Sequence, residues 1–112
     1  MGIFRRHSIA VLADSSKLEA LTRLHAFAVK LFGRQVTPIL PSVTNGDTVF
    51  FIGPDGSKEG WEESNQGDFY RDVLIQQISQ HFKGIIRYCE FSWADDGHNP
   101  EILRHSEEED SK

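Results

Sequence analysis

Apolar positions switch between two spacings along this chain, and the switches mark its elements. Residues 8–13, SIAVLA, are apolar on both faces and read as a buried strand. From Leu18 the spacing becomes helical. Leu18, Leu21, Leu24, Ala28, Val29, Leu31 and Phe32 share one broad arc, with Glu19, Arg23, Ala26 and Lys30 opposite. Ser16-Lys17-Leu18-Glu19 reads as a capping box, in which the hydroxyl accepts an orphan helix N–H and Glu19 reaches back. Glu19 and Arg23 form an i,i+4 pair of the favourable orientation, and Gly33 is a natural stop.

Residues 35–43 carry Pro38 and Pro41. Two missing ladder donors make this an edge strand if it is a strand at all. The following stretch, TNGDTVFFIGPDGSKEGW, frames one apolar strand, 48–52, between two turns. Asn45-Gly46 suits a two-residue hairpin, and Pro54-Asp55-Gly56 a second turn. Residues 58–61 then read as a short return strand, and 62–67 as a polar loop. Asn65 or Asp68 can cap a second helix over 69–82, striped by Leu74, Ile75, Ile78 and Phe82 and ended by Gly84. Residues 85–93 alternate. Ile85, Cys89, Phe91 and Trp93 share a face with Arg87, while Ile86, Tyr88, Glu90 and Ser92 share the other.

The order is β-α-β-β-α-β, which predicts an α+β fold of the split βαβ, ferredoxin-like kind with strand order 4-1-3-2. Strands 1 and 3, the continuous apolar runs, belong at the centre. The proline-bearing strand and the alternating strand belong at the edges. A short extra hairpin follows strand 3. The rival arrangement is an α+β meander with 58–61 as a full member of the sheet.

A chain of 112 residues is one domain. Its net charge of −5 is unevenly spread. Residues 95–112 hold seven acidic side chains against two basic ones, while residues 1–94 hold ten of each sign. We therefore expect a single domain over 1–96 and an acidic, disordered tail over 97–112. A balanced body with an acidic tail argues against nucleic acid as a partner. The longest apolar run, residues 9–13, is too short to span a membrane. The lone cysteine, Cys89, fits a reducing, cytoplasmic compartment and a small buried hydrophobe.

No phosphate-binding loop, dinucleotide fingerprint, zinc-protease motif, CxxC pair or calcium loop is present. His98 and His105 sit near Asp95 and Asp96, but their spacing in an acidic tail does not make a metal site. No cofactor is expected. The better clue is polar residues on apolar faces. His25 falls in the first helix's arc, Arg71 in the second helix's stripe and Arg87 on the apolar face of the last strand. Each costs several kcal/mol if buried alone, on the order of an unpaired buried polar group or charge. Each therefore needs a partner, drawn from Glu90, Asp72, Glu62 and Glu63, or lines a pocket. His25, Arg71, Arg87 and Glu90 are the candidate ligand pocket, with His25 its one plausible base. Trp61, Tyr88 and Trp93 are the candidate interface, because an edge strand with apolar outer side chains invites a second chain.

The segment FFIGPDGSKEGWEESNQGDFYRDVLIQQI, followed by IIRYCEFSWADD, resembles a pattern in small proteins of bacterial mobile, integron-type gene cassettes. PDGSKEGW, a Gly-Asp pair before an Arg-bearing helix, and an aromatic-acidic strand ending in paired aspartates carry the likeness over residues 36–96. It implies a bacterial cytoplasmic setting and brings no catalytic motif and no site residues. Two functions are expected. One is a non-enzymatic interaction module, a homodimer or the binder of an unidentified protein. The other is a small-ligand binder or cofactor-independent enzyme using the His25/Arg71/Arg87 pocket.

Overall fold

The structure is a computed structural model that describes residues 5–41, 46–54, 62–94 and 99–106. Strand β1 is Arg5–Asp14 and helix α1 is Leu18–Phe32. Strand β2 is Asp47–Ile52, helix α2 is Glu62–His81, β3 is Ile86–Ala94 and β4 is Glu101–His105. The sheet order is β2-β1-β3-β4, with antiparallel neighbours throughout. Residues 36–40 close the free side of β2 through bridges at Val36–Ile52 and Leu40–Val49. Read from β3 outward through β1 and β2 to residues 36–40, this is the expected 4-1-3-2 order. The chain has the split βαβ, ferredoxin-like arrangement.

Prolines explain why residues 36–40 touch the sheet without forming a ladder. Thr37 and Leu40 donate to Phe51 and Val49 at 2.9 and 2.7 Å, while Pro38 between them has no N–H to give. The turns at Asn45-Gly46 and Pro54-Asp55-Gly56 and the return strand at 58–61 fall wholly or partly outside the described residues.

Four readings of the sequence need correction. Residues 99–106 are not a disordered tail, since β4 pairs with β3 from Glu101–Ser92 to His105–Cys89. Consequently β3 is an interior strand rather than an edge. Helix α2 begins at Glu62 rather than Phe69. The acids read as loop sit in its first turn, where the helix dipole favours them. The helix-facing side of β3 carries Ile86, Tyr88, Glu90 and Ser92, all buried, not Cys89, Phe91 and Trp93. The register explains this, because Ala13, Val11 and Ile9 lie beside Ile86, Tyr88 and Glu90. Cross-strand neighbours share a face, so the fully buried residues of β1 draw theirs inward.

The core lies between that face and the two helices. Ile9, Val11 and Ala13 meet Phe50 and Ile52 from β2, Leu21, Leu24, Ala28 and Phe32 from α1, and Leu74, Ile75 and Ile78 from α2. Each large aliphatic or aromatic side chain buried this way contributes about 1.5–3 kcal/mol. Helix α1 is not opened by the expected capping box. Asp14 accepts from the Ser16 N–H at 2.9 Å and shapes a 3-10 turn over Ser15–Lys17. At the other end Gly33 adopts φ 60° and ψ −122° and returns its N–H to Val29.

These two ends give two expectations. An alanine built at Gly33 meets no atom within 4 Å, so crowding will not oppose Gly33→Ala. Its positive φ will, and we expect a loss of about 1–3 kcal/mol in chemical denaturation, the range for backbone strain. The Ser16 hydrogen bonds hold the Asp14 carboxyl below its ordinary value near 3.8. A depressed carboxyl stabilises the fold above its unfolded pKa and loses that contribution as pH falls through the folded one. Wild type should therefore exceed Asp14→Ala in denaturant midpoint at neutral pH, with the gap closing on acidification below pH 3.8.

Candidate functional site

Two neighbouring features form the site: a buried ionic cluster that fastens β4, and the uncovered surface that β4 completes. Glu90 is the centre of the cluster and is 3% exposed. Alternation along β3 turns it inward between Tyr88 and Ser92, where its charge needs partners. Arg71, projecting from α2 one turn before Ile75, brings Nε to 3.4 Å from Glu90 Oε2. Arg104 of β4 donates from Nε to Glu90 Oε1 at 2.6 Å and places Nη2 at 2.8 Å from Asp72. Arg71 also pairs with Asp68, one helical turn earlier. His7 and Leu103 complete a cleft of about 300 Å³ around these side chains. Burial pulls the Arg104 guanidinium down, but its bonds to Glu90 and Asp72 outweigh that and hold it above its ordinary value. Beside the cluster, Ser92 Oγ is buried and has no hydrogen-bond partner among the described residues.

The four pocket candidates do not converge. Arg71 and Glu90 meet, as the stripe argument requires. His25 lies elsewhere, with Nε2 donating to the Thr37 carbonyl at 2.8 Å and its ring edge-on to Phe50 at 5.0 Å. That pins residues 36–40 to α1 and makes His25 a satisfied core histidine. Arg87 is on the opposite face of the sheet, bonded to Asp47 at 2.7 Å. The side chain of Glu63 lies outside the described residues, as do Asp95, Asp96 and His98.

Among the described residues, no helix lies over the open face of the sheet. Ala10, Leu12, Val49, Phe51, Cys89, Phe91 and Trp93 lie there half-buried, and β4 adds Ile102, 66% exposed. Phe91 and Trp93 stack at 5.7 Å and 22°. Of the interface candidates, Trp93 is on this surface, Tyr88 is buried on the other face, and Trp61 lies outside the described residues. Tyr88 turns inward for the register reason given above. Burial pushes the Cys89 thiol up, so it is a neutral, weakly nucleophilic group at physiological pH. Among the described residues, no three His, Cys, Asp or Glu side chains gather as metal ligands.

Sequence reasoning missed Arg104, Ile102 and Leu103 because charge assigned them to a tail. A signal existed. Ile102-Leu103 is an apolar pair in an otherwise polar stretch, and Arg104 is one of only two cations there.

No family model matches the chain, and no curated protein matches it. A solved structure from Thermus thermophilus, described as a PII-like signaling protein, is similar over 92% of each chain, with 11% identity and a TM-score of 0.42. A likeness at that level carries no functional argument. Among the described residues, no helix is long and apolar enough to cross a membrane.

The cluster makes a quantitative prediction. Arg71→Met leaves Glu90 buried with Arg104 alone, and should cost about 3–5 kcal/mol, the range for breaking a buried pair. Arg71→Met combined with Glu90→Leu removes the stranded charge and should recover part of that loss. Denaturant midpoints of the two variants check both statements. A single-variant loss below about 1 kcal/mol would place Arg71 in the surface class of mutations instead.

Proposed function

We propose that this chain is a non-enzymatic protein-interaction module that works as a homodimer joined along the outer edge of β4. The observation that carries the reading is the contrast between the two edges of the sheet. One is residues 36–40, where Pro38 interrupts the donors and Pro41 follows, the usual protection against edge-to-edge pairing. The other is β4, unpaired on its outer side among the described residues and carrying Ile102 and Leu103, 66% and 43% exposed. An unblunted edge with apolar side chains templates another strand.

The occupant that fits is a second copy. Antiparallel pairing about a two-fold axis sets the Glu101 end of one β4 against the His105 end of the other, so the Glu101 carboxylates stay apart. The same operation joins both open faces into one surface, with Ile102, Phe91 and Trp93 repeated across the axis. Edge pairing alone buries less than the ~1,200–2,000 Å² of a stable interface, so the dimer should be a weak one, with Ile102 the apolar side chain nearest the axis. The separate, satisfied positions of His25, Arg71 and Arg87 favour this reading over a pocket enzyme. The bacterial cytoplasmic setting implied by the gene-cassette resemblance is compatible with it.

The small-ligand reading keeps one observation, the partnerless Ser92 Oγ beside the ionic cleft. The guanidiniums and carboxylates of that cleft are engaged with one another, so this reading ranks second.

Sedimentation equilibrium tests the proposal. Wild type should be a dimer that dissociates on dilution, and Ile102→Lys should be a monomer with unchanged circular dichroism. The position is exposed enough for stability to move by only about 0.5 kcal/mol. A wild type that stays monomeric at high protein concentration, or an Ile102→Lys protein that stays dimeric, overturns the β4 interface.

A further inference from the structure

On the far side of the helix layer lies a cleft that none of the arguments above uses. It opens between α1 and α2, has a volume of about 440 Å³, and is lined by Arg23, Leu24, Ala26, Phe27, Lys30, Gln77, His81 and Phe82. Its floor is apolar: Leu24 is buried, and Phe27 and Phe82 are half-buried. Its polar lining is Arg23, Lys30, His81 and one amide, with no carboxylate. In a chain of net charge −5, a lining of one sign is a local arrangement and not a reflection of bulk composition.

The basic side chains are not spoken for. Among the described residues, neither Arg23 nor Lys30 nor His81 has an ion-pair partner, and the i,i+4 bridge expected between Glu19 and Arg23 is absent. Lys30 and His81 stand in the last turns of their helices, where the helix dipole by itself favours a cation. Arg23 is a full turn inside α1, beyond the reach of that effect. Arg23, Phe27 and Lys30 follow one another at helical spacing, so an aromatic ring sits between two cations along one ridge. Gln77 and His81 face them at the same spacing from α2.

We infer that this inter-helix cleft binds a small anion with an apolar body, of the aryl or short-alkyl carboxylate class. The volume lies within the ~300–1,000 Å³ of small-molecule sites. The body replaces water over Phe27 and Phe82, and the carboxylate takes the unpaired Arg23 and Lys30. Arg supplies the planar fork that matches a carboxylate, and Gln77 can donate beside it. The site is independent of the β4 interface and stands or falls without it.

Amide-resolved NMR titration of the intact chain with naphthalene-2-carboxylate tests the inference. Shifts should concentrate at residues 23–30 and 77–82. Naphthalene-2-methanol, with the same ring and no charge, and acetate, with the charge and no ring, should each bind at least about tenfold more weakly, the equivalent of one charged hydrogen bond. Arg23→Gln combined with Lys30→Gln should weaken the carboxylate by a similar factor. Ala26→Glu, at an exposed helical position in the lining, should abolish binding by like-charge repulsion and serves if the double variant does not fold. Lys17→Gln combined with Arg34→Gln, outside the cleft, should change nothing. Equal binding of the alcohol, shifts centred on the open sheet face, equal weakening by the outside variant, or no shifts at all would each overturn the inference.

Discussion

A buried carboxylate decides how this sheet is finished. Glu90 sits on the core face of β3, almost wholly out of water. Its ionised form is tolerable there only because guanidiniums reach it from two elements. Arg71 comes from the helix above and Arg104 from the strand beside it. Removing two charges from water costs several kcal/mol per ion, so such a cluster adds little net stability. What it supplies is specificity. Only one placement of β4 brings Arg104 to Glu90 and Asp72 together, and a bulge between Glu90 and Phe91 adjusts the register there.

Fastening β4 changes what the rest of the sheet can do. Without it, β3 would be the exposed edge and would offer alternating aromatic and charged residues. With it, the edge moves outward to a short strand presenting Ile102 and Leu103. The open face widens at the same time, because Ile102 pairs beside Phe91 and shares a depression with Leu12 and Cys89. The ionic cluster and the proposed interface are thus two sides of one strand. Helices cover the other face completely enough to bury Ile9, Val11 and Ala13, so among the described residues the apolar surface that the sheet leaves uncovered is the open face and the β4 edge. The cationic cleft between the helices is separate in space and in chemistry.

The candidate site was legible in part. A guanidinium within the Leu74–Ile78 stripe had to find a carboxylate, and Arg71 does find Glu90. His25 showed the same kind of misplacement, yet one backbone carbonyl and one aromatic ring satisfy it. A misplaced polar residue therefore signals a required partner and not a shared pocket. Arg104 was hidden because local charge density outweighed a single apolar pair in assigning residues 97–112 to a tail. Tyr88 was misassigned for a different reason. Counting apolar residues favoured the Cys89–Phe91–Trp93 face, while the helices cover the other.

By itself the sequence determined the identity and order of its periodic elements. It also determined the edge character of residues 36–40 and the need to neutralise Arg71, because spacing, proline chemistry and desolvation act within a residue's own neighbourhood. It thereby determined the 4-1-3-2 path of the chain. Tertiary structure alone decided which face of β3 turns inward, since that depends on pairing with β1 across many intervening residues. It also decided that Glu101–His105 is a strand. Five residues with two exposed apolar side chains have no internal reason to extend. They become ordered only where β3 offers its backbone and Glu90 offers a buried charge to meet.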